Sequence, residues 1–180
     1  EAPRDGEAKR IARGIPSRML ADRARELAQG LAALEARTPP GTPAPEIVLG
    51  DARDLSPVKK GQAALVLSSP PYAGTYDYGA IHDVRFRWLD LPRVRFRDAQ
   101  LGARETAGEG VSSRVWRDGQ RRWLGEIARV LRPGGHALLV VGDGIVDGRV
   151  EDAPDGVASA AAPQGLEPVA RASQGRPIHD

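Results

Sequence analysis

The sequence predicts an α/β fold in which a central parallel sheet is covered by helices on both faces. Three short apolar runs, at 46–52, 63–69 and 136–144, lack the polar alternation of half-exposed strands and are typical of strands buried on both faces. The intervening segments carry apolar residues at every third or fourth position, as amphipathic helices do. Helices that alternate with apolar strands indicate a layered α/β architecture.

Length and composition narrow the class of protein. A chain of 180 residues is long enough for one domain with a real core. The absence of cysteine excludes disulfides, thiolate metal sites and a cysteine nucleophile. The formal charge of +2 is only a mild basic bias. No apolar run reaches the roughly 18 residues of a membrane span, and no signal peptide is visible, so we expect a cytoplasmic protein with no membrane partner.

The first 45 residues form a region of their own. Residues 1–16 are charged and contain Gly and Pro, so we expect an irregular segment. A helix is predicted to begin at Ser17, a suitable N-cap. Its apolar stripe consists of Leu20, Ala24, Leu27, Leu31 and Leu34. The sequence "TPPGTPAP" ends this helix and links it to the region 46–180.

The region 46–180 contains the predicted sheet and its helices. Beyond the strands at 46–52 and 63–69 we expect a short helix at 80–91 and a loop at 92–111. The longest helix is predicted at 112–132, where "RPGG" supplies Pro and Gly stop signals. Its predicted buried stripe is Val115, Trp123, Leu124, Ile127, Val130 and Leu131. The last elements are the strand at 136–144, a helix at 152–163 and a fourth strand at 166–174. We expect all the tryptophans, Trp88, Trp116 and Trp123, in the core.

The ends of the predicted strands carry the residues of chemical interest. They are Gly50-Asp51-Ala52, Ser69-Pro70-Pro71-Tyr72 and Gly142-Asp143-Gly144. Ligands of open parallel sheets bind beyond the carboxyl ends of the strands, so we expect these segments to line one crevice. An acidic or backbone group after the first strand could bind an adenine amine.

The segment Ser69-Pro70-Pro71-Tyr72 suits a planar base that carries an exocyclic amine. The prolines stiffen the loop. The hydroxyl of Ser69 and the carbonyl of Pro70 can accept hydrogen bonds, and Tyr72 offers a flat face for stacking. Such acceptors draw the amine towards tetrahedral geometry and free its lone pair for attack on a methyl group, without a covalent enzyme intermediate.

Three segments, in this order, resemble the amino-group DNA methyltransferases. "SSPPY" resembles their catalytic motif, and Ser-Pro-Pro-Tyr is more typical of the cytosine-N4 group than of the adenine-N6 group. "VLGDARDL" resembles the strand whose Asp-Ala loop meets the cofactor adenine. "LGEIARVLRPGGHALLVVGD" resembles a helix and strand of Rossmann-like methyltransferases. The resemblance covers about residues 46–174.

This resemblance implies a Rossmann-like methyltransferase sheet and S-adenosylmethionine as cofactor. Gly50, Asp51, Ala52 and Ser69 would bind the cofactor, and Ser69, Pro70, Pro71 and Tyr72 would form the catalytic loop. The expected reaction is methylation of cytosine N4 first and adenine N6 second. Methylation at cytosine carbon 5 is disfavoured because it normally needs a cysteine nucleophile.

One part of the family pattern is missing from the sequence. A glycine-rich cofactor loop of the Phe-x-Gly-x-Gly type should precede 46–52, and neither it nor the acidic residue for the cofactor ribose is present. The segment 142–148 lies at the wrong place to substitute. We expect either a chain that lacks an N-terminal portion, which the missing Met favours, or a degenerate relative. In both cases we expect poor cofactor binding by these residues alone.

The residues after the catalytic loop are candidates for substrate binding. Tyr76 and Tyr78 are placed to contact the base or simply to pack the loop. The arginines Arg85, Arg87, Arg93, Arg95 and Arg97 form either a phosphate-facing strip or an ordinary solvated face. His82 and Asp83 are read as a solvated helix start rather than a proton relay. The widely spaced histidines predict no metal site.

Other functions remain open on the sequence alone. An RNA or protein-glutamine methyltransferase would use a similar proline-rich loop, usually led by Asp or Asn. A non-enzymatic nucleic-acid-binding relative would bind DNA without the cofactor. The sequence does not distinguish the methylase partner of a restriction enzyme from a solitary methylase.

Overall fold

The computed structural model describes residues 14–92, 94, 96, 99–103 and 111–175. The chain divides into two compact units, Glu1–Ile47 and Val48–Asp180. Among the helices of the described ranges, none combines the length and apolar character needed to cross a membrane.

The described part of the first unit is dominated by helix α1, Ile15–Arg37. The helix begins one turn earlier than the sequence predicts: its N-cap is Gly14, at φ 89°, and not Ser17. Pro16 lies in the first turn, where its missing N–H costs no hydrogen bond. No residue of α1 is buried, and the predicted stripe, including Leu20 and Leu34, faces solvent.

The second unit is a mixed α/β structure built on a small parallel sheet. Its strands are β1 (Ala63–Ser68), β2 (Leu131–Leu139), β3 (Gly144–Val146) and β4 (Arg149–Glu151). Its helices are α2 (Tyr78–Ile81), α3 (Asp83–Trp88), α4 (Ser113–Val130) and α5 (Ala153–Ala161), and a 3₁₀ turn follows at Ala162–Gln164.

The strands form two separate pairs. β1 and β2 are parallel, with Leu67 opposite Leu138, and the long helix α4 lies between them in sequence. β3 and β4 form an antiparallel hairpin. Its turn is Asp147-Gly148, at φ 48° and 70°. Successive positive φ values match the twist of a hairpin, which explains the Asp-Gly pair.

Helices α4 and α5 cover one face of the parallel pair. Ser112 caps α4 by accepting a hydrogen bond from the Val115 N–H, and Asp152 caps α5 in the same way. The buried cluster of this layer is Trp123, Leu124, Ile127 and Ala161, with Val66, Leu131, Leu139 and Val157 packed against it. The burial predicted for Trp116 and Trp123 is confirmed, whereas Trp88 is 85% exposed and Val115 52% exposed.

Within the second unit, no described residue covers the opposite face of the sheet. Its apolar side chains are Leu65, Leu67, Leu138 and Val140, each more than half exposed. The second unit therefore has helices on one face of the sheet only, and the predicted helical layer on the other face is not found within it. The apolar composition of β1 was a correct sign of a strand, but burial depends on what packs against it.

Two of the predicted strands are absent. Residues 46–52 form no strand; Ile47 is 93% exposed and Leu49 is fully exposed. Residues 166–174 are irregular, with Val169 80% exposed. An apolar run becomes a strand only where a neighbouring edge takes its backbone hydrogen bonds, and β1 and β2 pair only with each other among the described strands.

Other elements differ from the prediction mainly in where they begin or end. The predicted helix at 80–91 is divided into α2 and α3 at His82. The "RPGG" sequence lies inside β2, since α4 ends at Val130 and the strand begins at the next residue. The strand predicted to reach residue 144 ends at Leu139. Of the predicted loop at 92–111, the described residues Val94, Phe96 and Ala99 are helical, which the loop prediction missed, and 93, 95, 97, 98 and 104–110 lie outside the described residues.

Candidate functional site

The sheet places the segment Ser69–Tyr72, hereafter the proline loop, beside the end of β2. The loop leaves the carboxyl end of β1, and the pairing continues one step further because the Val140 N–H donates to the Ser68 carbonyl at 3.0 Å. The parallel register therefore brings the proline loop next to Val141 and Gly142, as parallel strand ends require.

The proline loop is half-buried except at its first residue. Ser69 is exposed, while Pro70, Pro71 and Tyr72 are partly covered. The ring of Tyr72 lies against Gly142, where a side chain's Cβ would stand 3.0 Å from the ring carbon Cε2. Glycine at this position allows the aromatic ring to approach the backbone of the neighbouring strand end.

Backbone hydrogen bonds fix the chain directly after Tyr72. The buried Ala73 accepts a hydrogen bond on its carbonyl from the Ile145 N–H at 2.8 Å. The Gly74 N–H donates to the Gly102 carbonyl at 2.9 Å. A Cβ on Gly144 would lie only 2.2 Å from the Ala73 carbonyl oxygen. The start of β3 is thus pressed against the end of the proline loop.

A buried indole lies beneath this region. Trp116 is 5% exposed and packs with Ala73, Val111 and Val146. Its Nε1–H donates to Glu151 Oε1 at 3.0 Å. The sequence predicted a buried Trp116 but gave no sign of Glu151, which lies 35 positions away and on another element.

An aromatic row follows the proline loop. The rings of Tyr76 and Tyr78 have centroids 5.6 Å apart, and those of Tyr78 and His82 are 6.4 Å apart. Tyr76 is 44% exposed, so one face of the row is open to solvent. Asp77 caps α2 by accepting a hydrogen bond from the Ala80 N–H, which fixes the start of the helix that carries Tyr78.

The arginines of α3 have partners within the helix. Arg85 lies 2.7 Å from His82 Nδ1, and Arg87 forms an ion pair with Asp83 at 2.7 Å. His82 and Asp83 are half-buried and each holds an arginine, in place of the solvated helix start that the sequence predicts. Arg93, Arg95 and Arg97 lie outside the described residues, so the strip is represented only by Arg85 and Arg87.

The residues predicted to bind the cofactor adenine lie in an exposed turn. Gly50, Asp51 and Ala52 are exposed, and Asp51 accepts hydrogen bonds from the Arg53 guanidinium at 2.7 to 3.1 Å. These hydrogen bonds hold the pKa of the Asp51 carboxyl at about 2, below its usual 3.8. Across the described chain, no hydrogen bond or ion pair joins Asp51 to the proline loop. The prediction of a strand end at this position is not supported.

The acidic and histidine side chains of the described ranges form no cluster that could hold a metal ion. Comparisons with protein-family models, with curated proteins and with solved structures found no match to the chain. What can be inferred about chemistry therefore comes from the site itself.

The proline loop combines hydrogen-bonding groups with an aromatic ring. An exposed hydroxyl at Ser69, the carbonyls of a stiff Pro-Pro segment and an aromatic ring lie within four consecutive residues. The donors and acceptors of this segment are held in place by β1, by Gly142 and by the contacts of Ala73. An aromatic row with an open face lies a few residues further along the chain.

Proposed function

We propose that the protein methylates an exocyclic amine in DNA with S-adenosylmethionine, cytosine N4 in preference to adenine N6. The observation that carries the proposal is the position of Ser69-Pro70-Pro71-Tyr72 at the carboxyl end of a parallel strand, beside the end of its neighbour. The finer description of the sheet as Rossmann-like belongs to the same proposal.

The proline loop would act on the amine without bonding to it covalently. The Ser69 hydroxyl and the Pro70 carbonyl accept hydrogen bonds from the amine hydrogens, which localises the nitrogen lone pair. Because the prolines restrict φ, little reorganisation is needed when the base arrives. The cofactor supplies the methyl group. The loop contributes orientation and electrostatic stabilisation.

Tyr72 would hold the base outside the DNA helix. Extruding a base costs a few kcal/mol, and stacking on an aromatic side chain returns roughly 1–3 kcal/mol. Stacking therefore offsets only part of the cost. The rest of the extrusion free energy would come from other contacts. The rings of Tyr76 and Tyr78 are suited to contact bases, and the guanidinium groups of Arg85 and Arg87 are suited to contact phosphates.

The fit of the described residues to the cofactor is partial. Ser69 and the Gly142 backbone are suited to its methionine end. At its adenine end, Asp51 would have to exchange its contacts with Arg53 for contacts with the ligand. The sequence has no glycine-rich cofactor loop before residue 46 and no acidic residue assigned to the ribose, which is the middle of the cofactor.

The decisive test is methyl transfer in the intact gene product. Radiolabelled S-adenosylmethionine and DNA should yield N4-methylcytosine, identified by nucleoside analysis. Tyr72→Ala should lower the rate about 10- to 100-fold, in line with the loss of one stacked base contact, and should change the melting temperature little. Tyr72→Phe is the matched control and should retain most of the rate, because it keeps the ring.

The outcome separates this function from the others. Methylation of adenine N6 would show that adenine is the target base. Methylation of RNA or of a protein glutamine would show that DNA is not the substrate. DNA binding without any methyl transfer would favour a non-enzymatic relative. Full single-turnover activity of Tyr72→Ala would contradict the role given to the proline loop.

A further inference from the structure

The chain after the proline loop is held by two neighbours that share one buried support. Ala73 is bonded to Ile145 of β3, and Gly74 is bonded to Gly102. Both neighbouring segments pack around the indole of Trp116. On one side, Val146, the residue after Ile145, belongs to the same buried cluster as Trp116; on the other side, Gly102 lies against the ring. Movement of this indole would therefore reach the loop from both sides.

The contact with Gly102 is close. At φ 67°, this glycine takes a backbone conformation that other residues rarely adopt, and a Cβ there would stand 2.6 Å from Trp116 Cζ3. Backbone and indole are thus in van der Waals contact, so the position of the Gly102 carbonyl depends on the position of the ring.

The orientation of the indole is fixed by a single polar contact. Trp116 Nε1–H donates to Glu151 Oε1 at 3.0 Å. Glu151 ends β4 and its carboxylate is itself confined, because a Cβ on Gly156 of α5 would lie 2.5 Å from Oε1. The half-buried carboxylate of Glu151, which lies between the hairpin and α5, therefore sets the orientation of the Trp116 ring.

We propose that Trp116 and Glu151 are positioning residues for the proline loop, which, on the function proposed above, binds the target base. They touch neither base nor cofactor. Glu151 orients Trp116, and the indole in turn supports the Ala73 and Gly74 contacts that fix Tyr72 relative to Gly142. Loss of the Trp116–Glu151 hydrogen bond leaves the sheet intact and lets the loop move.

The test compares Glu151→Leu with Glu151→Gln. Leucine removes the acceptor at similar volume, while glutamine retains a carbonyl oxygen that accepts the indole N–H. Glu126→Leu is the matched control. Glu126 is also half-buried and also holds a loop, but the loop is a different one, since Glu126 accepts a hydrogen bond from the Leu55 N–H at 2.6 Å.

The first readout is hydrogen exchange in the 180-residue chain. In Glu151→Leu the Gly74 and Ile145 amides should exchange about tenfold faster than in Glu126→Leu, after correction for global stability. Glu151→Gln should resemble the wild type. Trp116→Phe should reproduce Glu151→Leu, and the double variant should add nothing, as expected of two residues that act through one contact.

The second readout is kinetic and uses the intact gene product. Glu151→Leu should lower kcat about 10- to 100-fold, since a displacement of about 1 Å at a reacting group has effects of this size. The KM for S-adenosylmethionine should not change, and Glu151→Gln should rescue kcat.

Two results would overturn the positioning role: equal exchange at Gly74 and Ile145 in Glu151→Leu and Glu126→Leu, or equal losses in Glu151→Leu and Glu151→Gln. If the wild-type protein transfers no methyl group to DNA, the proposed function fails, and the exchange experiment still decides whether these residues hold the loop.

Discussion

The Asp51 carboxylate is occupied by its neighbour in the chain. Arg53 donates to both carboxylate oxygens and also reaches the Ala99 carbonyl at 3.2 Å, so the side chain ties two distant segments together. A residue that the sequence suggested as a cofactor ligand therefore has a structural task of its own. On the proposed function, Asp51 could bind the cofactor only after its hydrogen bonds with Arg53 are released.

The pH dependence of this pair follows from the pKa of Asp51. The folded pKa of about 2 lies below the usual 3.8, so the pair stabilises the protein fully above the higher value. The contribution should disappear as the pH falls towards the lower value. Urea unfolding of the wild type and of Asp51→Asn should show a stability difference that shrinks between about pH 5 and pH 2.

A direct titration checks the same point. The Asp51 carboxyl carbon, followed by NMR, should titrate well below the usual range. A midpoint near 3.8 would show that the contact with Arg53 does not persist in solution.

At the scale of elements, β3 packs closely against the residue that follows the proline loop, because Gly144 has no side chain. Gly144→Ala would place a methyl group 2.2 Å from the Ala73 carbonyl oxygen, and backbone cannot yield as a flexible side chain can. We expect a loss of about 1–3 kcal/mol in unfolding free energy, typical of overpacking. Chemical denaturation would measure it.

Gly148→Ala is a useful comparison for this prediction. Its position meets no atom within 4 Å, so its cost arises only from the positive φ of 70°. If Gly144→Ala were no more costly than Gly148→Ala, the close packing of β3 on Ala73 would be refuted.

The elements show what local sequence can specify. β1 and α4 were predictable because their signals are local. β1 is a continuous apolar run of Ala, Leu and Val, and α4 has the Ser112 cap followed by apolar residues at helical spacing. The hairpin was missed although Asp147-Gly148 is a strong turn signal. The segments 46–52 and 166–174 were misread because their composition specifies a strand only when a partner edge is available.

In the candidate site, too, the features set by local sequence could be predicted and those set by distant residues could not. Ser69-Pro70-Pro71-Tyr72 follows a strand in the sequence, so its place at a strand end could be predicted. The contacts that hold it could not, because Glu151, Ile145 and Gly102 come from distant parts of the chain. Trp88 shows the converse: a large apolar residue at a helical position lies on the surface.

For the molecule as a whole, we expect the open face of the parallel pair to promote self-association. Leu65 is 59% and Leu67 70% exposed, and the strand edges beside them are unpaired in the described structure. The double variant Leu65→Thr, Leu67→Thr keeps β propensity and removes apolar surface. Sedimentation velocity should show less self-association than for the wild type.

Val66→Thr provides the matched control. Val66 lies between the two leucines and packs against the helical layer. A partly buried hydroxyl without a partner should lower the unfolding free energy by about 1 kcal/mol and leave association unreduced. Unchanged association of the double variant would show that the leucine face is not the contact.

A second prediction at this scale concerns cofactor affinity. On the proposed function, the described chain would offer groups for the two ends of S-adenosylmethionine only, and each missing hydrogen bond would cost about 0.5–1.5 kcal/mol of binding free energy. Several such losses move a micromolar site towards millimolar, at about 1.4 kcal/mol per tenfold change. Calorimetric titration of the 180-residue chain should therefore show weak binding. Micromolar affinity would require another cofactor-binding segment, with 142–144 the first to examine.

The pairing of β1 with β2 also bears on how the chain reaches its native state. Leu65 meets His136 only after the whole intervening segment has been brought round, whereas α4 needs contacts within a few turns. Closing so long a loop is entropically costly and slow. The sheet, and with it the end of β1 from which the proline loop departs, is therefore expected to form late, after the helix that supports it. The proline loop would then take its fixed position only once β1 and β2 have paired.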